Sequence, residues 1–338
     1  MCCVIGGTNR SSEVYREPRR LPAVLTMMSV KLNNNRDIPV LGVGTLFAKQ
    51  GEAEQLVKDA IDIGYRHFDT AMAYQNEKEV GAGVRAKIAE GVIKREDIFI
   101  TSKLWNTKHK RELVVDACKE TVSKLGLEYV DLYLIHWPFA FKDSEELWPK
   151  DSDGKVQLAD DDYVDTWKGM EECVKLGLAR SVGISNFNTE QINRVLEVAT
   201  IKPAVNQVEC HPYLNQSKLI AFCKERGIVI TAYCPLGSPN SIAKADFPAP
   251  LKDPTLQELA SKYKKSVAQI ILRYLIQHGT VPIPKSSNKN RLKENFDIFD
   301  FELSSADVAA IDALDRNARI CAFNDGIGHK NYPFDIEY

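Results

Sequence analysis

The chain has 338 residues, of which 44% are hydrophobic and 27% charged, with a net charge of −2. That is globular composition on the scale of one closed α/β barrel, and it lacks the basic surplus expected of a nucleic-acid or anionic-membrane partner. Eight scattered cysteines without a C-x-x-C pair argue against a disulfide framework and for a reducing cytoplasm, and six histidines without an H-x-x-x-H pair give no support to a zinc site. No run reaches the roughly 18 apolar residues of a membrane helix.

Residues 1–28 read as a flexible leader. They combine Arg10, Arg16, Arg19 and Arg20 with a short apolar run at 21–28, which Pro22 and Thr26 interrupt. Glu13 and Glu17 sit among the arginines and weaken a signal or transit peptide. Cys2-Cys3 lacks a fuller lipidation pattern, and the triplets starting at Asn9 and Asn215 matter only in a secretory context.

From residue 29 to 338 there is no linker and no break in composition. Short apolar runs at 38–41, 65–68, 98–101, 130–135, 179–184, 204–208, 229–233 and 281–283 have the length and β-branched or aromatic content of buried parallel strands. Amphipathic helical patterns lie between them at 52–62, 112–125, 161–176, 189–198, 216–226 and 267–278. Gly64, Gly126, Gly177, Gly227 and Gly279 stand where five of these helices should end. Eight such units predict a (β/α)₈ barrel of the TIM type, with a doubly wound open sheet as the alternative that periodicity does not exclude.

In a barrel the chemistry sits at the C-terminal strand ends. Asp69 ends the second predicted strand with Tyr74 just beyond; Lys103 ends the third and His136 the fourth. A carboxylate, a phenol, an ammonium and an imidazole therefore converge in one mouth. Reduction of a carbonyl needs a hydride at carbon and a proton at oxygen. Tyr74 is the candidate proton donor, Lys103 the cation expected to lower its pKa, Asp69 the anchor of the lysine, and His136 the group that orients the carbonyl. Each also has a plainer reading, as a structural ion pair or a satisfied core histidine; together they favour catalysis. After the eighth strand, Asn288 is placed to cap a helix starting near residue 289, and Lys285 and Arg291 flank that N-terminus, as an anion site requires. Gly81-Ala82-Gly83 continues a helix instead of opening one after a strand, so it is not a dinucleotide fingerprint. Tyr74 and Lys78 have the spacing of the short-chain dehydrogenase pair, but the Gly-rich turn that family needs is missing.

These residues resemble the aldo-keto reductase superfamily from about residue 30 to the end. The matching segments are Gly42-Val43-Gly44-Thr45, Asp69-Thr70-Ala71 with Tyr74, Ser102-Lys103-Leu104-Trp105, His136-Trp137-Pro138, Ser185-Asn186-Phe187, Asn206-Gln207 with Glu209-Cys210-His211-Pro212, and Pro284-Lys285-Ser286. The resemblance implies an NADPH/NADP+-dependent reductase of aldehydes or ketones, with Asp69, Tyr74, Lys103 and His136 as its tetrad. It implies that Ser185, Asn186 and Gln207 hold the nicotinamide carboxamide, with Tyr233 stacked on the ring and Asp69 beside it. Lys285, Ser286, Asn288 and Arg291 would hold the adenosine 2′-phosphate, with Glu294 and Asn295 near the adenine and Thr45, Leu236 and Ser238 along the cofactor.

The implied substrate walls are Leu46, Phe47, Trp105, His136, Trp137 and Phe139, closed by Cys321 and Phe323 in a C-terminal loop. Leu46-Phe47 stands where many members have a tryptophan, Cys234 where a serine is common, and Asn288 where a threonine is common. Steroid-like, sugar and simple aldehyde substrates all occur in the superfamily, and an insect-type branch acting on ecdysteroid ketones is among the readings. A widened wall at Leu46 and an apolar tail predict bulky apolar substrates over small sugars. The chain is expected to be a cytoplasmic monomer. A structural or channel-associated binding module of the same fold is the alternative, and the intact tetrad counts against it; a barrel hydrolase would need a carboxylate pair or metal cluster that is not evident.

Overall fold

The computed structural model describes residues 28–238 and 249–336. The leader, apart from Met28, lies outside the described residues, as do Cys2-Cys3 and Asn9.

Eight parallel strands form the barrel. In spatial order they are β3 (Val43–Gly44), β4 (His67–Asp69), β5 (Phe99–Leu104), β6 (Val130–Ile135), β9 (Ala179–Ser185), β10 (Val205–Glu209), β11 (Val229–Tyr233) and β12 (Thr280–Pro282). The seam between the last and first closes through Gly42 N–H donating to Pro282 O (3.0 Å) and Gly44 N–H to Pro284 O (3.2 Å). This closure excludes the open sheet. It also explains Gly42, because a Cβ there would stand 2.6 Å from the ring of His67.

The helices are α1 (Glu52–Ile63), α2 (Glu77–Ala89), α3 (Arg111–Leu125), α4 (Tyr163–Lys175), α5 (Thr189–Val198), α6 (Ser217–Glu225), α7 (Pro254–Tyr263), α8 (Val267–Gln277), α9 (Lys289–Phe296) and α10 (Ser305–Asp312). Each amphipathic pattern becomes a helix with its apolar stripe on the strands; α1 buries Ala53, Leu56, Val57, Ala60 and Ile61. All five expected stop glycines have positive φ, between 61° and 129°, the region where only glycine is free of Cβ strain. Gly81 and Gly83 lie inside α2, packed against the backbone of Leu125 and Glu54 respectively.

The first strand requires a correction. Residues 38–41 are not a barrel strand; β2 (Asp37–Pro39) pairs antiparallel with β1 (Ser29–Lys31) in a hairpin, and the barrel begins at Val43. The hairpin drives Leu32 and Ile38 into the barrel's N-terminal end, against Phe99, Leu132, Leu134, Val205 and Val281. The run is apolar because it plugs the barrel. A second hairpin, β7 (Ala140–Phe141) with β8 (Leu158–Ala159), rises over the opposite mouth. Asn215 is buried, with its amide nitrogen donating to Asp312 O (3.4 Å), so it is a structural residue and not an exposed acceptor.

Candidate active site

The tetrad assembles at the C-terminal mouth. Lys103, on β5, is fully buried; its Nζ donates to Asp69 Oδ1 at 2.6 Å, to Thr70 O at 3.0 Å and to Tyr74 Oη at 3.2 Å. Asp69 ends β4, the neighbouring strand, and its second oxygen accepts from Gln207 Nε2 of β10 at 2.8 Å. Tyr74 lies in a single 3₁₀ turn, 72–74, that follows β4. His136 sits just after β6, edge-on to Tyr74 with ring centroids 5.8 Å apart, and edge-on to Trp105 at 5.2 Å.

Burial decides the protonation states. It lowers the Lys103 pKa, and the charge and hydrogen bond of Asp69 oppose that loss. For Tyr74, burial and then the negative charge of Asp69 hold the phenol well above its ordinary value. The expectation that Lys103 lowers this pKa is therefore corrected: in the resting cleft desolvation wins, and Tyr74 keeps its proton. His136 is pushed well below the ordinary imidazole value by burial and by the Lys103 charge, so it is neutral and carries one N–H. Its Nδ1 has no partner among the described residues.

Asp69, Tyr74 and His136 of the tetrad line one end of a cleft of about 1710 Å³. Ser185, Asn186, Gln207 and Tyr233 line it beyond Asp69. They are already bonded to one another: Ser185 Oγ donates to Gln207 O (2.8 Å), Asn186 Nδ2 to His136 O (3.0 Å), and Tyr233 Oη to Asn186 Oδ1 (2.8 Å). Leu236 and Ser238 continue the wall. The far end holds Lys285, Ser286, Asn288, Arg291, Glu294 and Asn295. Asn288 caps α9 as expected, its Oδ1 accepting from Arg291 N–H (3.1 Å), which leaves its amide N–H groups to donate. Burial lowers the Lys285 pKa; Glu52 pulls the other way, but Arg291 and Lys49 add to the lowering. Cations crowded at a helix N-terminus make a site that an anion would relieve.

Three expected residues do not line the cleft, the first being Lys103, which lies fully buried behind Asp69 and Tyr74. Thr45 is buried behind the cleft, with its hydroxyl donating to Asp69 O (2.9 Å), and so supports the backbone of the tetrad. Phe139 is fully buried behind Trp137 and Phe323, with ring centroids 5.7 and 5.3 Å away. Leu46, Phe47, Trp105, Trp137, Cys321 and Phe323 do line the cleft, together with Trp148.

The sequence reading quoted Glu209 within a matching segment but gave it no role. It is fully buried at the end of β10, and its two oxygens accept from Ile320 N–H and Cys321 N–H, both at 2.7 Å, and from His211 Nε2 at 2.8 Å. Burial would raise its carboxyl, but these hydrogen bonds outweigh it and leave the pKa below the ordinary value. Glu209 thus holds the C-terminal loop over the cleft. A charge closing a buried strand two residues from a histidine was the available signal.

The model of the Aldo/keto reductase family matches residues 40–316. The chain belongs to this family. It is 48% identical to "Aldo-keto reductase family 1 member A1" of Gallus gallus over 320 residues, 91% of this chain and 98% of that one. It is 47% identical to "Prostaglandin F synthase 1" of Bos taurus over 316 residues, again 91% and 98%. Among solved structures, the aldose reductase of Schistosoma japonicum superposes with a TM-score of 0.87 at 43% identity, covering 92% of this chain and all of that chain. An aldo-keto reductase of Bombyx mori in complex with NADP superposes with a TM-score of 0.83 at 45% identity, covering 90% and 98%.

Three buried imidazoles, His67, His109 and His136, give a pH prediction. Burial is the main cause of each shift: His67 and His109 are each lowered to about 3, and His136 is lowered well below its ordinary value. The unfolded chain takes up protons near about pH 6.5 while the folded reductase does not, so stability from these groups is full above that pH and is lost as pH falls below it, by at most about 1.4 kcal/mol per pH unit for each. The imidazole resonances of all three should hold their neutral positions from about pH 7.5 to about pH 5. Titration of any of them near the ordinary value would contradict the assignment.

Proposed function

We propose that this aldo/keto reductase uses NADPH to reduce bulky apolar aldehydes or ketones, with Tyr74 as proton donor. The observation that carries the reading is the position of Lys103 Nζ, 2.6 Å from Asp69 and 3.2 Å from the Tyr74 hydroxyl. The cleft fits the cofactor: it runs unbroken from the tetrad to the cations beside α9, with amide and hydroxyl groups between. Ser185, Asn186 and Gln207 would hold the carboxamide and Tyr233 the face of the ring. Leu236 and Ser238 would flank the linker, Lys285, Ser286, Asn288 and Arg291 the 2′-phosphate, and Glu294 and Asn295 the adenine. Bound NADPH would supply the hydride that reaches the carbonyl carbon.

The chain's own groups manage the proton. The neutral His136 N–H holds the carbonyl oxygen. Tyr74 keeps its proton until that oxygen gains negative charge, since an alkoxide is more basic than even a raised phenolate. The phenolate left behind lies beside the Lys103 ammonium, which stabilises it. Trp105, Trp137, Trp148 and Phe323 form an aromatic wall, with Phe323 stacked on Trp105 at 6.0 Å, and such a wall favours apolar substrates. Scattered thiols fit a protein working in a reducing cytoplasm, and no helix among the described residues is long and apolar enough to cross a membrane.

Tyr74→Phe should lower kcat on the order of 10²-fold or more while NADPH affinity barely changes, as stopped-flow turnover and fluorescence titration would read. Near-wild-type kcat would sink the role of Tyr74.

Arg291→Ala tests the other end of the cleft. Losing a charge-assisted bond should weaken NADPH about tenfold or more and leave NADH, which lacks the phosphate, almost unaffected. Equal losses for both cofactors would contradict the assignment.

A further inference from the structure

Six cysteines fall among the described residues. Four are buried in the core. Cys118 and Cys173 are close enough to hydrogen-bond, but both are fully enclosed, beyond the reach of any reagent. Cys234 and Cys321 differ: both are half-buried, both line the cleft, and their Sγ atoms lie 3.9 Å apart although 87 positions separate them in the chain.

Their backbones are held. Cys234 follows β11 with φ 49°, and its carbonyl accepts from Gly237 N–H at 2.9 Å. Cys321 is held from the other side by Glu209, which takes the N–H groups of both Cys321 and Ile320 at 2.7 Å. The thiols therefore face each other because two separate anchors bring them there. A disulfide needs about 2.05 Å between sulfurs, so an approach of roughly 2 Å, within reach of χ1 rotation and a small loop shift, would join them.

We infer that Cys234 and Cys321 form a reversible dithiol–disulfide site that locks the C-terminal loop to the end of β11. The oxidant is a low-molecular-weight disulfide. One protein thiolate attacks a sulfur of that reagent, breaking its S–S bond and releasing one thiol. The second protein thiol then attacks the mixed disulfide and releases the other thiol. The protein gains one S–S bond and loses two hydrogens, which leave on two reagent thiols. The pKa of the Cys321 thiol is pushed up, first by its hydrogen bond with Cys234 and then by burial, so exchange is slow, on the minutes-to-hours scale of uncatalysed disulfide chemistry. The consequence for turnover rests on the cleft being the cofactor and substrate channel. The bridge would join Tyr233's neighbour to the loop that carries Ile320 and Phe323, and so narrow the opening through which carbonyl substrates enter.

The test uses the full chain incubated with oxidised glutathione, with and without NADPH, followed by non-reducing peptide mass mapping and by kcat/KM with para-nitrobenzaldehyde. The expected result is one linked peptide pair joining Cys234 to Cys321, lighter by two hydrogens. kcat/KM should fall at least about fivefold and return on addition of dithiothreitol. Cys234→Ser, compared with itself before and after the oxidant, should show neither the link nor the fall. Glutathione adducts without a link, or a link between other cysteines, would overturn the site. A link that leaves kcat/KM unchanged would overturn the lock. NADPH should slow linkage by covering both thiols; a link forming equally fast with it would leave the disulfide standing and count against the cofactor reading instead.

Discussion

The buried ion pair between Lys103 and Asp69 is the constraint around which the mouth of this barrel is built. Both side chains are almost completely removed from water. An unpaired ammonium at such a site would cost several kcal/mol, so the lysine is tolerable only with its carboxylate and its other acceptors in place. The barrel meets that demand by putting the two residues on adjacent strands and adding the Thr70 carbonyl. The second Asp69 oxygen is satisfied from β10 by Gln207, so the pair ties the two sides of the barrel together. Everything else in the site is placed relative to this charge: the Tyr74 hydroxyl is drawn to it, and His136 is kept neutral partly by it.

A pair this costly must be held rigidly, and the residues behind it show how. Thr45 donates to Asp69 O, Asn76 Nδ2 donates to Thr45 O at 2.8 Å, and the Thr70 hydroxyl donates to Asn76 Oδ1 at 2.7 Å. This network fixes the backbone that carries Asp69 and leads to Tyr74. On the other side of the cleft, Glu209 does the same for the loop at Ile320 and Cys321. One carboxylate thus orders the tetrad and another orders the C-terminal loop.

Much of this was legible in the sequence because it depends on local patterns. Helix faces follow a 3.6-residue period, the stop glycines mark positive φ, and Asn288 caps α9 through its own side chain. What failed was what depends on depth or on distant partners. Residues 38–41 have a strand's composition, but only the packing of Ile38 inside the barrel shows that they form a plug. Thr45 and Phe139 belong to the right segments and lie one layer too deep. Glu209 meets partners 111 and 112 positions away, which no periodicity encodes. The Tyr74 pKa was misjudged because neighbours can be inferred from strand order, whereas the extent of burial cannot.

The central claim is that Asp69 keeps Lys103 charged against the pull of burial. The most direct measurement is the titration of the Lys103 side chain, followed by its ¹³Cε and ¹⁵Nζ resonances in the wild type and in Asp69→Asn. With the carboxylate gone, burial acts unopposed by it, so Lys103 should lose its proton at a lower pH in the variant than in the wild type. If both proteins titrated at the same pH, the ion pair would not be what holds the charge, and this account of the site would be wrong.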